Sequence, residues 1–465
     1  MPTLTQSGSA DQEGSAERPR RVRPSGQTVL IAGAALFVIT VLCYGAFTFT
    51  HPANAWQDSV DLRVYWRGGH AVLNHTSLYN WPGTTMQFTY PPFAALLYTV
   101  LAVLPWHLVI SLWTWASFAA LVASVWVTLG GLGYQDTRVR AGGTLAFTAV
   151  LFWTAPVLHV VYLGQIELLL MALVLWDLCQ PEERRWQGIG VGIAAGIKLV
   201  PLIFIPYLLL TRRFRQAAVA TATFAATVAA GFALPADSRT WWLDGLFTQG
   251  SRTGFPGRDI NQSLPGLITR LSGSVAAGRP VWLVVSALTL IAGVACAALL
   301  HRLGHPMIGI LTCAITGLLV SPVSWDHHWV WIVPVVIVLA CYGLRAVGAA
   351  RYGLLSAAVL VTLLFAAWPG LVWGQPRYTG DFFEGLVWWP PGTSNATYIR
   401  LGDRASYAEY HWHGFQLVVG NLYVLTGMAV LLAAAGFALR SAASRRREAS
   451  AGDVGQISAA PVISG

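Results

Sequence analysis

Residues 28–49 read TVLIAGAALFVITVLCYGAFTF. About 20 residues without a charge, at 1.5 Å each, cover the ~30 Å hydrocarbon core of a bilayer. The stretch therefore predicts a transmembrane helix. The polar residues before it end in Arg18, Arg20, Arg21 and Arg23. No A-x-A cleavage pattern follows the run, so it reads as a retained first span behind a cytoplasmic tail, 1–27. Apolar runs recur at about 91–106, 108–130, 142–160, 163–179, 187–210, 215–235, 280–300, 307–322, 329–344, 352–374 and 414–439. Each must be helical, because lipid satisfies no backbone hydrogen bond. Lys198 and Pro201 interrupt the run 187–210, which reads as two short helices.

Composition agrees. Of 465 residues only 11% are charged and 55% belong to the apolar set, and the mean hydropathy is +0.56. Such a chain can neither coat a soluble surface nor stay disordered, for which about 25% charge is the globular norm. The expected fold is all-α and polytopic: an integral membrane domain over 28–440 with about 11–13 spans, and a polar tail over 441–465. The net charge of +9 comes from 28 Arg and a single Lys against 20 acids. The Arg residues cluster beside apolar runs, which indicates topology and not a nucleic-acid stripe. All five Cys lie in apolar runs without CxxC spacing, so neither a redox nor a zinc site is expected.

Short loops with Arg138/Arg140, Arg184/Arg185, Arg212/Arg213/Arg215, Arg302 and Arg345/Arg351 read as cytoplasmic, as does the tail from Arg440. The opposite, outer side then receives 50–90, the turn at 161–167, and 236–279, 321–328 and 375–413. These segments hold the polar chemistry. Asp58 and Asp61 lie three residues apart beside Arg63, Tyr65 and Arg67. An Asp there reads first as a solvated loop carboxylate or helix cap, and alternatively as a general base. Gln165 and Glu167 between two spans need a wet cavity or a helix partner. Lys198 in AAGIKLVPLIF needs an anion, for which a lipid phosphate is suited, or a route to the interface.

Arg258, Asn261 and Gln262 suit phosphate oxygens and sugar hydroxyls. Asp326, His327 and His328 could ligate metal, shuttle protons or meet a phosphate. Adjacent histidines diverge on a helix, so no metal is assigned. The last outer loop carries Trp389 among aromatics and sparse carboxylates, as carbohydrate surfaces do.

In order, the segments DLRVYWRGG, LYNW, FTYPP, GQIELLL, GIKLVP, NQSLPG and SPVSWDHHWVW resemble one family. It is that of the actinobacterial polyprenol-phosphate-mannose-dependent α-(1→2)-mannosyltransferases, a GT87-type branch of the GT-C glycosyltransferases acting on phosphatidylinositol mannosides or lipomannan. The resemblance covers residues 28–440. It implies a GT-C-type helical bundle, an active site at the outer face and both termini cytoplasmic. It implies a polyprenyl-phosphate mannose donor, a lipid-anchored mannoside acceptor and no cofactor.

Carried onto this chain, it implies Asp61 as catalytic base, with Asp58 second. The donor phosphate and sugar would meet His327, His328, Lys198, Arg63, Arg67, Asn261, Gln262 and Tyr65. The acceptor would meet Glu167, Gln165, Arg258 and Trp389. Glu167 stands where the resembled pattern has Asn. Two other functions stay in view: transfer of arabinofuranose from its polyprenyl phosphate, and flipping or transport of a lipid-linked sugar. No internal repeat favours the transporter.

Overall fold

A computed structural model describes residues 25–50, 59–83, 86–369, 383–390 and 407–457. Asp58, Asp381, Asp403 and most of the last outer loop lie outside the described residues. Among the described residues sixteen α-helices of seven or more residues organise the chain: α1 (Gly26–Thr50), α2 (Val60–Leu73), α3 (Pro92–Ala102), α4 (Trp106–Gly131), α5 (Thr137–Leu151), α6 (Ala155–Leu163), α7 (Glu167–Leu178) and α8 (Ile189–Ile197). They continue as α9 (Phe204–Leu210), α10 (Phe214–Gly231), α11 (Leu264–Ser272), α12 (Val275–Arg302), α13 (Pro306–Val320), α14 (Ile332–Arg345), α15 (Gly348–Phe365) and α16 (Leu422–Ile457). Single helical turns fill several connections. Among the described residues the sole strand pairing is a two-residue ladder, Trp368–Pro369 against Phe383–Glu384.

Among the described residues six helical stretches are long and apolar enough to cross a bilayer: Gly26–Ala46, Trp106–Gly131, Val275–Arg302, Asp326–Arg345, Gly348–Phe365 and Leu422–Arg447. The protein is a multi-pass membrane protein. The bent pair α6 and α7, at 115°, makes a seventh if counted as one span. This is fewer than the apolar runs suggest, for local reasons. Pro105 ends the run of α3 after 11 residues, and α13 has only 15. The run 187–210 breaks at Lys198, as its sequence predicts: Lys198 is extended and a 3-10 turn over Val200–Ile203 follows. At the C-terminal end the helix runs on to Ile457, past the point at Arg440 where composition suggests a tail.

Large side chains such as Ile31, Leu288 and Leu432 are more than half exposed on the outside of these helices, which suits lipid and not water. Inside, one continuous apolar cluster joins most of the helices. Interfaces use small residues for close approach. Gly33 of α1 and Gly142 of α5 face each other so closely that a Cβ on Gly33 would stand 2.1 Å from the Gly142 carbonyl oxygen. At one end of the bundle arginines tie helix ends together. Arg345 donates to the Leu132 carbonyl at 2.7 Å, Arg140 to Trp126 at 2.9 Å and Arg445 to Leu303 at 2.7 Å. All these arginines belong to the loops read as cytoplasmic, so the basic loops gather on one face.

Candidate functional site

The opposite end holds a cavity of about 630 Å³, lined from α2, the 86–91 segment, Gln165, Lys198, the 241–258 loop, Val323, Trp325, His328 and Tyr407. Among its lining residues Asp61 is the one carboxylate, whereas Lys198, Arg252 and Arg258 supply cations. Asp61 sits in the first turn of α2. The helix is held there by its paired glycines. A Cβ on Gly69 would approach the Tyr98 carbonyl oxygen to 2.3 Å, and one on Gly68 would meet the Phe88 ring at 2.6 Å. Side chains at both positions would push α2 off α3 and the loop before it.

Gly164 completes the placement. It caps α6 in the left-handed region, φ 70°, and a Cβ there would stand 2.5 Å from the Cβ of Leu62. The chain therefore turns directly beneath α2 and delivers Gln165 to Asp61. Tyr65 donates to Gln165 Oε1 at 2.6 Å and Tyr90 to the same oxygen at 3.2 Å. With two phenols on its oxygen, the amide must present Nε2 to Asp61 Oδ2, at 2.7 Å. Asp61 Oδ1 has no hydrogen-bond partner among the described residues. Burial raises the Asp61 pKa above its ordinary value; the His327 ring and the Gln165 amide partly offset this. Burial also raises both phenols, Tyr65 and Tyr90, so they stay protonated donors.

Behind this pair lies a charge cluster. Lys198, freed from helix geometry by the break, pairs with Glu167 Oε1 and lies 2.9 Å from His328 Nε2. Its ammonium also stands 5.7 Å from the centre of the Tyr90 ring. The second oxygen, Glu167 Oε2, is buried without a partner. Glu167 thus supplies the anion that Lys198 requires in this state. Asp326 opens the 3-10 turn Asp326–Trp331 and accepts from Trp388 Nε1 at 2.8 Å, with His159 Nδ1 at 2.6 Å from the same oxygen. Its other oxygen accepts the His327 backbone N–H at 2.9 Å and so fixes where the two histidines start.

The two rings do not diverge as they would on an α-helix. Their centroids are 4.7 Å apart, and Glu167, His327 and His328 form the single group of three potential metal ligands among the described residues. Lys198 occupies that position electrostatically, since its ammonium already touches two of the three. A divalent ion would have to displace it against charge repulsion. His327 keeps both ring nitrogens buried without hydrogen-bond partners.

The expected residues thus divide. Asp61, Tyr65, Gln165, Lys198, His328 and Arg258 line the cavity, with Glu167 and His327 directly behind it. Arg63 and Arg67 do not join them: both are exposed on other faces of α2, and Arg63 stacks over Trp106 at 5.1 Å. Asn261 and Gln262 are fully buried and structural. Asn261 Oδ1 accepts from the Ser324 backbone at 2.9 Å; Gln262 Nε2 donates to Gly420 O at 2.7 Å and its Oε1 accepts from Tyr423 N at 3.2 Å. Their polar groups are consumed by the chain itself, leaving none for a sugar. Trp389 is half-buried and outside the cavity lining. Tyr90, His159 and Trp388 are the participants that sequence reasoning did not select. Tyr90 lies in the quoted FTYPP segment, where the prolines masked it as a helix start.

A family model described as Glycosyltransferase family 87 matches residues 88–322. A polyprenol-phosphate-mannose-dependent α-(1-2)-phosphatidylinositol pentamannoside mannosyltransferase of Mycolicibacterium smegmatis is 34% identical over 371 residues, 76% of this chain and 87% of the relative. The like-named protein of Mycobacterium tuberculosis is 32% identical, over 68% of this chain and 74% of its own length. A phosphatidylinositol mannoside mannosyltransferase of M. tuberculosis is 34% identical, over 63% and 69%. No solved structure matches.

Proposed function

Since the chain belongs to glycosyltransferase family 87, we propose that its cavity transfers mannose from polyprenyl-phosphate mannose to a phosphatidylinositol mannoside, forming an α-1,2 linkage on the extracytoplasmic side. One observation carries the mechanism: a single carboxylate, Asp61, shares the cavity with Lys198, Arg252 and Arg258. A β-linked mannosyl phosphate attacked from the opposite face gives the α-mannoside by inversion. The acceptor hydroxyl gives its proton to Asp61 Oδ1 as its oxygen bonds to the anomeric carbon. The bond from that carbon to the phosphate oxygen breaks, and its electron pair leaves with the polyprenyl phosphate. That leaving group is a stable anion and needs no acid, so one carboxylate suffices where glycosidases need two.

Lys198 lines the cavity beside Asp61 and Gln165. On this reading the donor phosphate takes over from Glu167 as the partner of the Lys198 ammonium. The basic loops at the other end of the bundle support an outward-facing cavity and cytoplasmic termini, by the positive-inside rule.

Membranes carrying the protein should transfer mannose from the lipid donor to mannoside acceptors, and Asp61→Asn should reduce transfer by roughly 10²–10⁴-fold at unchanged protein level. Full activity in Asp61→Asn would remove the base assignment. Preferential use of polyprenyl-phosphate arabinose in a donor panel would overturn the choice of sugar.

A further inference from the structure

Glu167, His327 and His328 bring one carboxylate oxygen and two ring nitrogens within 4.8 Å of one another, and all three side chains are buried. Two of these atoms already converge on a cation, the Lys198 ammonium. An ammonium can only donate, so His328 Nε2, 2.9 Å from Lys198 Nζ, turns a lone pair toward it. Glu167 Oε1 accepts from the same Nζ. The two ligand atoms stand 3.3 Å apart. A tetrahedral ion with ligands at about 2.0–2.2 Å separates them by about 3.3–3.6 Å, so one edge of a tetrahedron is already formed.

The third corner is furnished as well. Both ring nitrogens of His327 and the second oxygen of Glu167 are buried without hydrogen-bond partners. Buried polar atoms in that condition are uncommon in folded chains and call for a ligand or an ion. Asp326 stands beside the His327 ring, its Oδ1 3.4 Å from Nδ1. His159 and Trp388 hold that carboxylate in place. A carboxylate so placed orients a metal-binding imidazole and raises its basicity. Two imidazoles and one carboxylate suit a borderline ion such as Zn²⁺, with water in the fourth position. Mg²⁺ and Ca²⁺ prefer all-oxygen sets. The ion takes the place of the ammonium and needs no other space. Lys198 lines the reaction cavity, which gives its side chain a place to go and the ion a way in.

We propose that Glu167, His327 and His328 form a binding site for a divalent transition-metal ion such as Zn²⁺, with the Lys198 ammonium as its alternative occupant. The two cations exclude each other by charge. On the reading that a donor phosphate draws Lys198 into the cavity, phosphate binding vacates the metal site. A bound ion in turn releases Lys198 toward the phosphate.

The test titrates full-length protein in neutral detergent, purified without a histidine tag, with Co²⁺, whose visible absorption intensifies on four-coordinate binding. Lys198→Met removes the competing cation and should bind one Co²⁺ at least tenfold more tightly than wild type. Zn²⁺ should displace that Co²⁺ and Mg²⁺ should not. Lys198→Arg keeps the charge and should bind no more tightly than wild type. Lys198→Gln supplies the same comparison where the methionine variant is not monodisperse. Adding Glu167→Gln, His327→Ala or His328→Ala to Lys198→Met should return the affinity to the wild-type level or below. Equal affinity in Lys198→Met and wild type would overturn the proposal. So would tight binding that survives loss of either histidine, or tightening by Lys198→Arg. Because no sugar donor takes part, failure of the mannosyltransferase reading would leave the result standing.

Discussion

Gln165 orients a carboxylate by having no choice of its own: two phenols hold its oxygen, so its amide hydrogen must point at Asp61. This makes the acid limb of the pH profile a direct report on the site. As the proposed base, Asp61 must be ionised to accept a proton, and burial raises its pKa above the ordinary value near ~4. Activity is therefore lost as pH falls through a midpoint above that value. Gln165→Leu removes a hydrogen bond that favours the anion, so kcat/KM should fall and its acid limb should move to higher pH. An unshifted limb would detach Gln165 from the base. Glu167→Gln tests the neighbouring pair. Removing the anion leaves Lys198 partly buried and unpaired, at a cost of about 1–3 kcal/mol, discounted because Lys198 opens onto the cavity. The melting temperature should fall while the KM for the lipid donor falls too, the ammonium being free for phosphate. A raised acceptor KM at unchanged stability would place Glu167 on the acceptor instead.

The elements that carry these residues are aimed by glycine contacts. Gly164→Ala would force a methyl into the Leu62 Cβ at 2.5 Å and also into a left-handed backbone, φ 70°. The expected result is a loss of about 1–3 kcal/mol and at least a tenfold drop in kcat, because Asp61 shifts with α2. Activity equal to wild type would show that the turn does not aim the base. Here the limits of reading a sequence become physical. Gln165 and Lys198 were legible because a lone polar residue beside an apolar run demands a reason, whereas Asp61 was set above Asp58 only by the family resemblance. The second role of the glycines, and the two phenols on Gln165, depend on contacts between segments up to 100 residues apart, which no local spacing encodes. Asn261 and Gln262 misled for the converse reason. Their side chains look ready for a sugar, yet they satisfy backbone groups of the chain itself, Ser324 for Asn261 and Gly420 and Tyr423 for Gln262.

For the whole molecule, charge placement was the most legible property, since the arginines marked as cytoplasmic do collect at one end. The course of each helix was less so, because apolar runs show where lipid or core is tolerated and not where a helix bends. A fluorescent reporter fused after Arg447 should fold on the cytoplasmic side, whereas alkaline phosphatase fused there should be inactive; the reverse pattern would invert the molecule. The short helices have a consequence of their own. At 1.5 Å per residue the 11-residue α3 is about 16 Å long, half the depth of an ordinary bilayer. A helix that short does not cross a bilayer of ordinary thickness, so beside the reaction cavity it either thins the surrounding lipid or admits water to its depth, and shortens the distance a polyprenyl phosphate must move. Lipid thickness then becomes a variable of the reaction: turnover in vesicles of short-chain phosphatidylcholine should exceed that in long-chain vesicles of equal fluidity.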